Sequence, residues 1–447
     1  MRMVSVSKEI LVIIAQRLWQ AVSGMATLVF VIYFLSLDQQ GWYYSLLSMS
    51  ALYTLFELGL AVVLVNVSAK YFMGLAWTND GGIDGSDHEA FSAFVPQAFM
   101  IYAILSLAFL VVVMPAGFFF FHSRNLAVHY SIHGHMIDWL SPWVALVLAN
   151  GLSMMIFPFL SIVEGAHGLV EAYTVRLVQA VLGAFLCWFL IVQGHALWAA
   201  IGPPLMSSVV GIVWLVIWRK GTLRLALSGR GRGGGGQYFS WLTNVWPLQW
   251  RAGVSWMAFY LYTQIYTPFV FYFQGTEAAG RLGLSLTVAH MVGIVIQSWM
   301  ARRAPAMVLA AHDRNWVELD QLFKRGFLSV VVLFCLAIGF LCVAHKVLSH
   351  TAYANRILPF GSFLELLLIV FIGHVIGAMV LQLRSFLVEP LAFVHLLCAG
   401  LTCSAALITL YFGGLDQMIT AILTFQLLVN LPWSYLRWRK SNRFLRD

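Results

Sequence analysis

Charge is scarce in this chain. Only 10% of its 447 residues are Asp, Glu, Lys or Arg, against 61% hydrophobic, and the mean hydropathy is +0.84. No polar stretch between apolar runs is long enough to fold as a separate soluble domain. Cysteine is sparse too. All five (Cys187, Cys335, Cys342, Cys398, Cys403) lie in apolar runs and none forms a CxxC pair, which excludes a disulfide framework and a zinc site. They are expected to act as small buried hydrophobes. No P-loop, GxSxG, HExxH or paired loop carboxylates occur, so no hydrolytic or transfer chemistry stands out. The chain is expected not to be an enzyme and to use no cofactor and no metal. A cleavable signal is not expected either. The first apolar run is interrupted by Gln16, Arg17 and Gln20, continues to Leu37 and has no small-residue cleavage pattern.

What is present is twelve apolar stretches of membrane-spanning length. A helix needs about 20 apolar residues to cross a bilayer, and lipid allows no open sheet or irregular backbone. The fold class is therefore all-α polytopic membrane protein. Spans are expected at 10–37, 42–68, 92–121, 139–162, 170–192, 196–218, 246–273, 280–301, 326–346, 359–382, 391–412 and 417–436. With the N-terminus in the cytoplasm, 19 of the 26 Lys and Arg fall in inside segments, four in outside loops and three within spans. That bias places both ends in the cytoplasm. It also explains the formal charge of +8 as a topology signal facing anionic lipid, not a nucleic-acid surface.

A basic, glycine-rich stretch runs from Arg219 through Arg230 and Arg232 to Gly236, as a flexible linker would. It divides the chain into an N-terminal six-helix lobe (1–218), a cytoplasmic linker (219–245) and a C-terminal six-helix lobe with a basic tail (246–447). The two lobes begin alike. Gln16-Arg17 to Ser23 resembles Gln249 to Ser255, and Gln40-Gly41 matches Ala279-Gly280. Such parallel halves are expected around a central cleft holding the substrate site near the midplane.

Polar residues mark that cleft. Gln16, Gln20, Ser23 and Thr27 stand at i, i+4, i+7 and i+11 on the first span, with Arg17 beside them. Arg251, Ser255, Tyr262 and Tyr266 form a second stripe on the seventh. Arg17 lies about 10 Å inside its helix, able to face a cavity or to snorkel. For Arg251 and Arg176, interfacial anchoring competes with substrate contact. Glu57 is deep in the second span, where a charge costs about 2.5–3.5 kcal/mol. It is either protonated, exposed to water in a cleft, or paired with Arg17 or Arg176 to fix packing. His290 and His374 sit at mid-helix and are either satisfied core imidazoles or proton-relay groups. Glu57, His290 and His374 are the candidate ion-coupling residues. Gly373 and Gly377 form a GxxxG step that suits close helix packing. Asp80, Asp84, Asp87 and Glu89 look like a solvated loop.

Several stretches resemble a family. Ser36–Ser48 followed by Phe56-Glu57-Leu58-Gly59-Leu60, then Val163-Glu164-Gly165 with Val170–Leu177, then Trp246–Trp256 and Ala279–Ser285, are similar to bacterial polysaccharide flippases. These belong to the multidrug/oligosaccharidyl-lipid/polysaccharide (MOP) exporter superfamily. The resemblance covers most of residues 10–325 and fades in the last four helices. It implies alternating access, a cationic cavity and export of an undecaprenyl-diphosphate-linked oligosaccharide across the bacterial inner membrane. The expected partners are that lipid-linked glycan, membrane lipids, H⁺ or Na⁺ as a coupling ion, and polysaccharide assembly proteins. A departure is that only three arginines lie within spans. The rival readings are a cation-coupled drug antiporter of the same superfamily, which Glu57 favours, and a membrane polymerase or glycosyltransferase, which the short outside loops disfavour.

Overall fold

The computed structural model describes residues 2–85, 88–128, 137–228, 239–351, 353–386, 388 and 390–446, with the side chains of 2–7, 10, 124–128, 248 and 251 outside it. The described chain is helical except for one two-stranded hairpin. Among the described residues, eleven helical stretches are long and apolar enough to cross a membrane. The expected span at 246–273 is present as two helices broken at Gln264-Ile265. The chain forms two compact units, Met1–Leu35 with Leu46–Trp256, and Ser36–Ser45 with Met257–Asp447. The boundary thus falls inside a helix beyond the expected linker, and ten residues near the N-terminus belong with the second unit. Arg230, Arg232 and the glycines after them lie outside the described residues.

In chain order the first unit contains α1 (Arg2–Phe34), α2 (Leu37–Ser50), α3 (Tyr53–Glu57), α4 (Leu60–Tyr71), β1 (Ala76–Trp77), β2 (Ile83–Asp84), α5 (Glu89–Val128), α6 (Leu140–Gly165), α7 (Leu169–Val192), α8 (Gly202–Trp218), α9 (Lys220–Leu227), α10 (Trp241–Asn244) and the start of α11 (Trp246–Thr263). The first residues of α2 belong to the second unit. Helix α6 is the hub, the most enclosed of the spans. Serine hydroxyls stitch three neighbours to it. Ser106 on α5 donates to the Gly151 carbonyl at 2.7 Å, Ser208 on α8 to Ala149 at 3.1 Å, and Ser68 on α4 to Ile162 at 2.7 Å. In an apolar solvent such bonds between helices contribute about 0.6 kcal/mol each. Helix α1 packs on α7 through an aromatic seam of Trp19, Phe30, Phe185 and Trp188.

Of the segment expected as a solvated acidic loop, Asp80 and Asp84 lie in the hairpin and Glu89 opens α5, while Asp87 lies outside the described residues. Ala76 pairs with Asp84 and Trp77 with Ile83, antiparallel. The Thr78-Asn79-Asp80-Gly81-Gly82 turn closes it, with Gly81 at φ +77°. Asp80 accepts from the Thr78 hydroxyl at 2.6 Å and the Gly82 amide at 3.3 Å, and these bonds hold its carboxyl below the usual range. Trp77 donates to the Ala166 carbonyl at 2.7 Å, while the Arg219 guanidinium sits 4.3 Å above its ring. Arg219 is only 6% exposed and forks onto the Glu171 carboxylate. The start of the expected linker is therefore ordered: α9 docks on the hairpin through Gly221 N–H to Asp80 O (2.8 Å) and Thr222 hydroxyl to Gly81 O (2.6 Å).

The second unit continues α11 into α12 (Tyr266–Gln274), α13 (Thr276–Ala301), α14 (Ala304–His312), α15 (Trp316–Leu348), α16 (Phe360–Arg384), α17 (Ala392–Gly413), α18 (Leu415–Phe425), a π-helical turn and α19 (Leu431–Phe444). Here α13 is the enclosed hub. Small residues let the first turns of α2 lie on it. A Cβ on Gly41 would stand 1.9 Å from the Thr276 carbonyl oxygen. Around this crossing Ser36 and Gln39 cap α2 reciprocally, and Gln40 donates to the carbonyls of Gly280 (2.8 Å) and Arg356 (3.1 Å). Gly41 and Gly280 hold matching places in the weak internal repeat, and they meet here.

Backbone on one side and backbone on the other leave no soft atom to yield at Gly41. Gly41→Ala should therefore destabilise the purified protein by about 1–3 kcal/mol, the usual range for overpacking. Gly339→Ala, on α15 with open space around it, should be neutral or stabilising. Thermal unfolding in detergent checks both; equal effects would contradict the close crossing.

Candidate functional site: a broken span and an unpaired arginine

The second span does not run straight through. Helix α3 ends at Glu57, Leu58 and Gly59 turn left-handed (φ +47° and +70°), and α4 restarts at Leu60. A break exposes backbone amides that a membrane interior cannot hydrate. Glu57 satisfies them. Its carboxyl accepts from the amide of Ala61 at 2.6 Å and of Gly59 at 3.2 Å, and from the Tyr102 hydroxyl of α5 at 3.0 Å. Glu57 is 8% exposed and Tyr102 fully buried. Gly59 is needed twice over, for its positive φ and because the Trp256 indole nitrogen lies 2.1 Å from where a Cβ would be. Among the described residues the Glu57 carboxyl is thus held by its own following turn and a tyrosine, not by an arginine.

The expected ion pairs resolve differently. Arg176 binds Glu164 across the α6–α7 junction at 2.6 Å and stacks over Tyr173. Glu171 is taken by Arg219 and by the Trp214 indole at 2.8 Å. Arg176 is thus neutralised by Glu164 within the first unit. Arg17 differs. Its side chain is exposed on α1, and among the described residues it forms no ion pair and no hydrogen bond.

The polar stripe around Arg17 is split. Gln20 is exposed and Gln16 is buried, with its Oε1 unpartnered among the described residues. Ser23 is half-buried. Thr27 bonds the Ser23 carbonyl at 2.8 Å and accepts from the Trp188 indole at 2.9 Å, so this end of the stripe faces α7 and not a cavity. On α11, the side chain of Arg251 lies outside the described residues. Ser255 is half-buried in the first unit. Tyr262 belongs to the second, where its hydroxyl donates to the His395 carbonyl at 3.3 Å.

His290 and His374 come together in the second unit. The His374 ring lies against Gly293 of α13, where an added Cβ would be 2.3 Å from Cε1. His290, one turn earlier on α13, is within electrostatic range of it. Nδ1 of His374 donates to the Val370 carbonyl at 2.8 Å, which makes Nε2 the ring's acceptor nitrogen. Gln297 completes the crossing; its Nε2 faces Gly377, and its buried Oε1 has no partner among the described residues. Gly377 thus serves packing, whereas Gly373 faces open space. No group of three or more His, Cys, Asp or Glu suited to a metal occurs among the described residues.

Sequence reasoning missed Tyr102, Trp256 and the Glu164 and Glu171 pairings. All join residues distant along the chain, and spacing carries no signal for them. The hairpin did have one, an Asp-Gly-Gly turn between short apolar runs.

No protein-family model matches the sequence, and no curated protein matches it. Solved structures do. The inward-facing conformation of a multidrug resistance MATE family transporter of the MOP superfamily superposes with a TM-score of 0.61 at 12% identity, covering 95% of this chain and 99% of that one. The outward-facing conformation of such a transporter gives 0.59 at 11% identity, over 98% and 96%. A MOP superfamily transporter from Pyrococcus furiosus, described by a reverse polarity of its binding pocket, gives 0.56 at 11% identity, over 98% and 96%. The chain therefore has the fold of these transporters along nearly its whole length.

If Glu57 caps the broken span, Glu57→Ala should cost about 1–3 kcal/mol, as for a lost cap with a buried partner left unpaired. Tyr102→Phe should cost about 1 kcal/mol alone and almost nothing in the Glu57→Ala background. A thermal-unfolding double-mutant cycle reads this, and additive losses would contradict it.

Proposed function

We propose that this chain is an alternating-access exporter of the bacterial inner membrane, with both ends in the cytoplasm, and that its cargo is an undecaprenyl-diphosphate-linked oligosaccharide. The observation that carries the cargo is the charge balance of the first unit. Glu57, Glu164 and Glu171 are each engaged by donors or arginines of their own unit, whereas Arg17 is exposed and unpartnered among the described residues. An unneutralised cation within a span calls for an anion. Arginine suits a diphosphate because its planar fork binds two oxygens at once. A wet cleft would shelter the sugar while the lipid tail stays in the bilayer. Two negative charges crossing about 150 mV would contribute on the order of 7 kcal/mol toward the outside. Glu57, His290 and His374 are the groups through which H⁺ or Na⁺ entry would reset the cycle.

A second reading is cation-coupled export of small molecules. The names of the structures that share the fold favour it, since two are multidrug resistance transporters. It would need a free carboxylate facing the cargo.

A leaflet-resolved assay in proteoliposomes separates the two. With a fluorescent lipid-diphosphate oligosaccharide, wild type should move the head group across, and Arg17→Ala should slow it by about tenfold or more, the loss expected for one charge-assisted bond. Proton-driven efflux of a lipophilic cationic dye that is unchanged in Arg17→Ala, with no glycolipid movement, would instead establish the second reading.

A further inference from the structure

Helix α19 presents two unlike faces. One is pinned to its unit: Trp438 donates to Gln382 of α16 at 2.9 Å, and Arg446, just beyond the helix, forks onto Asp320 of α15. The other is open. Leu436, Arg439, Lys440, Arg443 and Phe444 line a groove of about 440 Å³. These positions fall on one helical face, three cations between two apolar ends, with Leu436 62% and Phe444 78% exposed. Asp320 is already held by Arg446, so it does not neutralise the groove.

Depth identifies what meets this face. The last candidate span is helical from Leu415 to Phe444. At 1.5 Å per residue, Leu436 lies about 32 Å along it, near the far edge of a hydrocarbon core about 30 Å thick. Arg439, Lys440 and Arg443 fall about 36–42 Å along, at the depth of the headgroup phosphates. Trp433 and Tyr435 are exposed just before that boundary, as interfacial aromatic anchors are.

We propose that the open face of α19 is a binding site for an anionic phospholipid headgroup, with Arg439, Lys440 and Arg443 on the phosphate and Leu436 against the acyl region. Charge complementarity and depth favour a lipid over a soluble anion. The site is independent of the transport cargo.

Native mass spectrometry of the full-length protein, with thermal unfolding in parallel, tests this. Phosphatidylglycerol should be retained and should raise the Tm, whereas phosphatidylcholine should do neither. R439Q/K440Q/R443Q should bind phosphatidylglycerol about a hundredfold more weakly, since each cation near a charged lipid surface contributes about fivefold. The charge-retaining R439K/R443K should bind within a few-fold of wild type, which guards against loss of fold in the neutral variant. Equal retention by wild type and R439Q/K440Q/R443Q would overturn the site. So would stabilisation by inorganic phosphate equal to that by phosphatidylglycerol, which would assign it to a free anion. An equal shift with polyglutamate would assign the face to an acidic protein.

Discussion

A membrane interior offers no water to an unpaired amide, and the break in the second span depends on that constraint. Without a donor-hungry group at Glu57, the restart of α4 would leave its first amides bare in the bilayer. The carboxyl supplies acceptors for two of them, and Tyr102 ties the same oxygen to α5. Leu58 and Gly59 adopt the left-handed turn that makes the break, and Trp256 fills the space where a side chain at Gly59 would be.

Charge is handled by the same economy. Arg176 and Arg219 are matched by Glu164 and Glu171, and the latter pair also fastens the hairpin through Trp77. Each pair joins groups of one unit and so adds no net charge there. What is left over becomes informative. Arg17, which no described residue neutralises, stands on a helix that contacts its unit chiefly through one aromatic seam with α7.

The spans were legible in the sequence because length and hydropathy alone determine them, and eleven of the twelve expected stretches recur as candidate spans. The twelfth is present but broken, with Pro268 in the first turn after the gap. The break at Glu57 was not legible. Leu58 carries no sign that it turns left-handed, and the partner of Glu57 lies 45 residues away on another helix. The stripe of Gln16, Gln20, Ser23 and Thr27 gave a true periodicity, but not which end faces a neighbour; Trp188 decides that. That Ser36–Ser45 group with the second unit was also hidden, because the Gly41–Thr276 contact joins residues far apart in the chain.

The central claim is that Arg17 is free to receive an anionic head group. An experimental structure of the protein in lipid with a diphosphate-linked glycolipid bound tests it most directly. The account predicts a phosphate oxygen about 2.7–2.9 Å from the Arg17 guanidinium, with Glu57 still on the amides of Gly59 and Ala61. A head group bound elsewhere, or Arg17 engaged by a carboxylate of the protein itself, would contradict it.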